Sequence, residues 1–290
     1  VFSLDEAFEL SELNEALLET LLGHDNLYFA LGENKQADAL VLDALQALRE
    51  APKASLAPYS MHDTRPMLHE MRVFKSACEV AVMKTASRIS AAAHKRAMQF
   101  VKPGCYEYHL EAELHHSFAM QGARTPAYST IVGSGENGCI LHYTENSAQI
   151  KDGDLVLVDA GCEYQGYAAD ITRTFPANGT FSKPQRDIYE WVLKAQEAVL
   201  TTLGPGSTLG EAMQQSAEVI TEGLVSLGLL GGTIAENLQQ ETWRQFYMHG
   251  VGHFLGLDVH DVGDYKIDGQ DRPLKPGMVL TIEPGIYIGS

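Results

Sequence analysis

An α+β fold, with helices on one side of a mainly antiparallel sheet, is the class this sequence predicts. Three observations predict it. Helix and strand signals come in clusters rather than in strict alternation. A helix–Pro-Gly–helix layout occurs twice, each time followed by strand-like sequence. Residues 155–175 read as a hairpin, two strands around Gln165-Gly166.

Taken in order, residues 1–50 read as short helices and a strand, with helical apolar spacing in Leu10–Leu22 and Ala37–Leu48. APKASLAP (51–58), with two prolines among small residues, reads as a linker or surface loop. Ser76-x-x-Glu79 has capping-box form and should open a long helix. That helix ends at Lys102-Pro103-Gly104, and a second covers 107–120. Ser182-x-x-Gln185, with Pro184 in the first turn, starts the next helix. Gly204-Pro205-Gly206 stops it, and Thr208-x-x-Glu211 caps another that runs to about 227. The repeated layout hints at an internal duplication, although Pro-Gly is also a common helix stop. Strand signals are clearest in Leu155–Glu163, Ala168–Phe175 and Val279–Ile288.

Composition narrows the function. A net charge of −17 argues against a sequence-independent nucleic-acid binder, which needs a basic face. Four cysteines, 78, 105, 139 and 162, lie far apart with no C-x-x-C pair, so neither a thiolate zinc site nor a disulfide scaffold is indicated. Reduced thiols in a cytoplasmic protein are the expectation. No apolar run of about 18 residues suggests a membrane span. The chain opens VFSLDEAFEL without Met, and is read as beginning in mid-protein.

Aspartate disfavours strand interiors, yet Asp159 and Asp170 each sit inside a strand of the expected hairpin. A two-residue loop at 165–166 pairs Asp159 with Thr172. Side chains alternate along a strand, so Asp170 shares the face of Thr172 and Asp159. Diagonal neighbours on one face lie about 7–8 Å apart, close enough to reach one cation or a cation pair. A three-residue loop would separate them. Two solvent-facing aspartates on an exposed sheet face is the competing reading. The apolar run LVLV before Asp159 opposes it, because that strand looks buried on both faces. Two buried, unpaired carboxylates would repel unless protonated or bound to metal.

HGVGHFLGLDVHD (249–261) holds three histidines. His249 and His253 have the i, i+4 spacing of a helical zinc site, but Gly250, Gly252 and Gly256 make a helix unlikely there. In an extended segment such glycines let backbone approach a ligand closely. A lone histidine would more often be a structural hydrogen-bonder. Here Glu283 is also isolated in the apolar strand VLTIEPGIYI. Asp159, Asp170, His253 and Glu283 together form an oxygen-rich, hard donor set suited to Mn²⁺, Co²⁺ or Fe²⁺. Bridging carboxylates around two ions about 3.5–4 Å apart would hold a shared hydroxide and polarise a carbonyl, which is chemistry for amide hydrolysis.

The motifs VDAGCEYQGYAADITRTFP, HGVGHFLGLDVHD and TIEPGIYI closely resemble the dinuclear-metal peptidases of the pita-bread fold. Within that family GARTPAYSTIVGSGENGCILHYTEN (122–146) resembles the bacterial Xaa-Pro aminopeptidase (aminopeptidase P) branch. The resemblance runs from about Arg65 to the end. It implies pseudo-twofold αβ repeats in a catalytic domain at 65–290, preceded at 1–64 by the tail of an N-terminal domain and a linker. It makes Asp159 a ligand of one metal, Asp170 a bridge, and His253 and Glu283 ligands of the second. Glu283 would also act as general base and later acid. His260 would donate to the scissile carbonyl oxygen. His142 would line the substrate side near the peptide nitrogen, with His249 and Tyr287 in the pocket wall. The family's fifth ligand, a second bridging Glu preceded by Arg, lies on a strand beyond TIEPG. The chain stops at Ser290 before it, so the sequence is expected to be C-terminally incomplete.

What the resemblance implies is an aminopeptidase removing the residue that precedes a proline, using two divalent ions. Mn²⁺ comes first, and Co²⁺ and Zn²⁺ also fit the donor set. A proline amide lacks the N–H that most peptidases bind. The expected partners are peptides with proline second, in a cytoplasmic homo-oligomer, dimer or tetramer, with no nucleic acid or membrane. The alternative is a prolidase cleaving Xaa-Pro dipeptides, which shares the histidine motif; LHYTEN favours the aminopeptidase. A metal-free pita-bread binding module is the other class, and intact ligands oppose it.

Elsewhere, His94 and the His115-His116 pair read as parts of solvated helix faces. Gly133-Ser134-Gly135 lacks the lysine and helix of a phosphate loop and reads as a tight turn beside the site. Cys162 should pack on the face opposite Asp159.

Overall fold

The computed structural model of the protein describes residues 7, 9–50 and 56–289. In chain order the helices are α1 (Leu13–Leu21), α2 (Lys35–Glu50), α3 (Arg65–Val73), α4 (Ala77–Phe100), α5 (Glu107–Met120), α6 (Lys183–Thr202), α7 (Leu209–Ser226) and α8 (Ile234–Gln239). The strands are β1 (Asn26–Tyr28), β2 (Ser60–His62), β3 (Thr125–Pro126), β4 (Ile131–Ser134), β5 (Leu155–Asp159), β6 (Cys162–Tyr164), β7 (Tyr167–Ala168), β8 (Thr172–Pro176), β9 (Lys266–Ile267) and β10 (Gln270–Asp271). Residues fall into two compact units, Val1–Glu70 and Met71–Ser290, with the boundary inside α3.

In the first unit α2 turns Val41, Ala44, Leu45 and Leu48 inward, the i, i+3, i+4, i+7 face of an amphipathic helix. They pack on Leu21 of α1, while β1 and β2 pair in parallel. Of the expected linker at 51–58, residues 51–55 lie outside the described residues.

The second unit is built on two helix pairs. α4 begins at the expected box, where Ser76 N–H donates to Glu79 Oε2 (2.7 Å) and Glu79 N–H to Ser76 Oγ (3.4 Å). Gln185 and Glu211 close the same reciprocal caps on α6 and α7. α4 and α5 pack Ala86, Ile89, Ala93, Leu110, Leu114 and Phe118 against Val132, Val156 and Val158 of the sheet. α6 and α7 contribute Ala195, Ala217, Ile220 and Leu224 to a second core with Trp243 and Tyr247.

The hairpin has the expected register. Asp159 pairs with Thr172, and Tyr164 with Tyr167, across a turn whose Gln165 and Gly166 both have positive φ. Its two strands are nevertheless interrupted. The root, β5 and β8, joins β4 in one antiparallel sheet, whereas the tip, β6 and β7, joins β3 in another. Each predicted strand is therefore split where the hairpin changes sheets, and Asp170 falls in that break rather than inside a strand.

Val279–Ile288 differs more. It is extended, yet among the described residues it forms no strand, only a bridge from Leu280 to Phe254. Its hydrogen bonds run to the histidine segment instead: Leu255 N–H to Val279 O (3.0 Å), Thr281 N–H to His253 O (2.9 Å) and Glu283 N–H to Val251 O (2.8 Å).

The sequence expectation for His94 is corrected. Its ring is buried at 2% exposure, with Ser90, Ala93 and Ala97 sharing the buried face of α4, and Nε2 lies 2.9 Å from Ala160 O. His115 is also not freely solvated: its Nε2 lies 2.8 Å from Thr130 Oγ1, while His116 is exposed. Gly133-Ser134-Gly135 is the end of β4 running into a 3₁₀ turn over Gly135–Cys139. Cys162 is fully buried, its N–H donating to Ser90 Oγ (3.0 Å).

Candidate metal centre

Three of the four expected ligands converge. Single donor atoms of Asp170, His253 and Glu283 all lie within 4.8 Å of one another. His253 Nε2 is 3.3 Å from Asp170 Oδ2 and 3.2 Å from Glu283 Oε1. The pairing of 251–255 with 279–283 brings His253 and Glu283 together, although thirty positions separate them in sequence.

Asp159 joins through a residue the sequence reading passed over. Tyr128 Oη lies 2.5 Å from Asp159 Oδ1 and 3.1 Å from Asp170 Oδ1. Burial, and then the Asp170 charge, push the Asp159 carboxyl up to about 7. Burial beside both carboxylates likewise raises the Tyr128 phenol well above its ordinary value, keeping it a donor. Tyr128 stands within the quoted TPAYST stretch, but only the fold brings it over the two aspartates.

The donor chemistry fits a cation. His253 Nδ1 lies 2.9 Å from the Phe254 carbonyl, which can only accept, so Nδ1 carries the hydrogen. In the neutral ring Nε2 is then a lone pair aimed at two carboxylate oxygens. Burial opposes charging this imidazole, but the hydrogen bonds to Asp170 and Glu283 outweigh it and lift the pKa to about 10. The two carboxylate oxygens that favour a proton on Nε2 would equally favour a divalent ion there. A carbonyl holding the far nitrogen of a ligating histidine is also a recurrent feature of metal sites. Thr281 Oγ1 donates to Glu283 Oε1 (2.7 Å), and burial of Glu283 is outweighed by His253 and Thr281, which hold its carboxyl below the usual range.

His260 lies beside this cluster, its ring tilted against that of His253 with centroids 4.1 Å apart. Burial, then the charge of His253, lowers its pKa, so it is neutral near pH 7. His249 and Tyr287 meet each other rather than the ligands. His249 Nδ1 faces Gly250 O (2.8 Å), leaving Nε2 to accept from Tyr287 Oη (2.9 Å). His142 is exposed, in a left-handed conformation with φ 56°, and touches none of the ligands by hydrogen bond.

Residues 81–290 match metallopeptidase family M24. Over 288 residues the chain is 54% identical to the Xaa-Pro aminopeptidase of Escherichia coli K12, covering 98% of this chain and 65% of that protein. It is 40% identical over 264 residues to the Xaa-Pro dipeptidase of Mus musculus, covering 84% of this chain and 54% of that one. Zinc-substituted E. coli aminopeptidase P, solved with product, superposes with a TM-score of 0.96 at 53% identity, covering 99% of this chain and 65% of that chain. The chain therefore spans slightly less than two thirds of the E. coli protein.

Proposed function

The chain belongs to metallopeptidase family M24 and has its pita-bread fold, and on that premise we propose that it is a metal-dependent aminopeptidase. It would cleave the bond between any N-terminal residue and a following proline. One observation carries the reading: Asp170, His253 and Glu283 present their donor atoms to one point, with the His253 tautomer already set for ligation.

In this reading Asp159, Asp170, His253 and Glu283 would hold the cations, with Asp170 shared between them. Mn²⁺ is the foremost ion for so oxygen-rich a set. When bound, such ions supply Lewis-acid polarisation of the scissile carbonyl and acidify water. The chain's own residues do the rest. Tyr128 donates its one O–H to Asp159, with Asp170 also within reach, and fixes the two carboxylates relative to each other. Thr281 holds Glu283 anionic, ready to accept a proton from the attacking water and to pass it to the leaving proline nitrogen. His260, neutral and exposed, donates an N–H to the oxygen on which charge develops. His142 lines the substrate side, and the His249–Tyr287 pair forms a fixed wall. Residues 1–64 belong to an N-terminal domain and 65–290 to the catalytic one. The protein acts as a cytoplasmic homo-oligomer; no described helix is long and apolar enough to cross a membrane.

The test is a comparison of an Xaa-Pro-Yaa tripeptide with an Xaa-Pro dipeptide, using the full-length Mn²⁺-loaded protein. Faster cleavage of the tripeptide is expected. Preference for the dipeptide would make it a prolidase. Cleavage of neither, with no metal retained, overturns the reading.

A further inference from the structure

The ring of His260 has no hydrogen-bond partner among the described residues, and its ring contact there is with the neighbouring His253. Its position is therefore set by its backbone. The next residue, Asp261, is the most deeply held point of that loop. Its carboxylate is 1% exposed and takes two cations: Lys75 Nζ at 2.9 Å from Oδ2, and Arg72 Nη2 at 2.5 Å from Oδ1. Lys75 is itself 1% exposed, whereas Arg72 is 29% exposed and reaches on to Asp258 Oδ2 (2.7 Å).

Two further hydrogen bonds tie this cluster to the metal centre. Asp261 N–H donates to Phe254 O (2.9 Å), the carbonyl that also receives His253 Nδ1–H. Lys75 N–H donates to Gly277 O (2.8 Å), ahead of the segment carrying Glu283. A Cβ on Gly256 would stand 2.1 Å from Asp261 Oδ2 and 2.9 Å from Lys75 Cε, so this motif glycine leaves room for the ion pair.

We propose that Lys75 and Arg72 are positioning residues for His260, fixing through Asp261 the loop that holds its imidazole over the metal centre. This rests on the role given to His260 above. Burying the Lys75 and Asp261 charges is a poor way to gain stability, because desolvation offsets attraction. It does fix geometry, since one buried carboxylate shared by two fixed cations has few alternative placements. No proton or electron moves through the cluster.

The test is a double-mutant cycle on the full-length, Mn²⁺-loaded enzyme with an Xaa-Pro-Yaa tripeptide. Lys75→Met should lower kcat by about 10- to 100-fold, the scale of a small misplacement of a catalytic group. KM and bound metal should be unchanged. Arg72→Gln, on the exposed side, keeps the Lys75–Asp261 pair and serves if Lys75→Met does not fold; a loss of about 3- to 10-fold is expected on the same grounds. In a His260→Ala background both substitutions should cost less than about 2-fold, because residues acting through one group are non-additive. Equal losses in both backgrounds would assign the cluster a purely structural role and overturn the proposal. Loss of metal with activity would also overturn it, placing the effect on His253. If His260→Ala lowers kcat and neither cluster variant does, this inference alone falls. If His260→Ala leaves kcat unchanged, the role of His260 falls with it.

Discussion

The phenol of Tyr143 donates to the carboxylate of Glu107 at 2.8 Å, and no solvent reaches that carboxylate. Glu107 also accepts from Ser134 N–H (2.7 Å), Ser134 Oγ (2.7 Å), Asn137 Nδ2 (3.1 Å) and Ala148 N–H (2.9 Å). One side chain of α5 thus ties down both ends of the stretch that carries His142.

Burial works against the Glu107 charge, but those hydrogen bonds outweigh it and hold its carboxyl below the usual carboxylate range. A depressed carboxylate pKa contributes stability that is present above the unfolded value and is lost as pH falls through the folded one. Glu107→Gln should therefore cost about 2–4 kcal/mol at pH 7, where charged hydrogen bonds are lost and two donors are turned upon donors. Urea unfolding at pH 7 and at about pH 3.5 checks this: the gap between wild type and variant should narrow in acid. A gap independent of pH would show that the charge is not its source.

Asp170→Asn should abolish turnover and leave metal below stoichiometric levels, with the fold intact by circular dichroism. The amide keeps one oxygen but loses the charge that opposes two cations. Elemental analysis decides the matter; retained turnover with two bound ions would end the bridging role of Asp170.

Tyr128→Phe deletes the hydroxyl that spans Asp159 and Asp170 without removing a ligand. Removing an outer partner of this kind weakens metal binding by about 10- to 100-fold. Titration of the metal-free protein with Mn²⁺ measures that change, and an unaltered affinity would make Tyr128 a packing residue.

Gly252→Ala tests the close approach of the histidine and glutamate segments. The added Cβ would fall 1.9 Å from Thr281 O, a backbone atom that cannot step aside alone. The two segments should separate, destabilising the protein by about 1–3 kcal/mol and weakening metal binding through the His253–Glu283 distance. A variant of wild-type melting temperature and metal content would contradict this packing.

The sequence made the local features legible. Capping boxes at Ser76, Ser182 and Thr208 and the Asp159–Thr172 register depend on neighbours a few residues apart or on the parity of one turn. What it hid depends on distant contacts. The hairpin breaks where its tip leaves for β3, and Val279–Ile288 takes its hydrogen bonds from an irregular segment, so a strand signal there becomes extended chain without a strand. His94 lies in an alanine-rich helix with weak amphipathic contrast, and nothing local marks its face as buried. The Lys75–Asp261 pair joins residues 186 positions apart, which no pattern reading connects.

Two of the motif histidines share a habit: His249 and His253 each anchor Nδ1 on the carbonyl of the next residue, Gly250 or Phe254. A main-chain carbonyl is present whatever side chain the codon specifies. The tautomers of both rings are thus shielded from point mutation at the anchoring positions. Phe254 can drift to another apolar residue, at the expense of its packing, while the lone pair of His253 keeps its aim. Only a change in the path of the backbone itself could turn that nitrogen away.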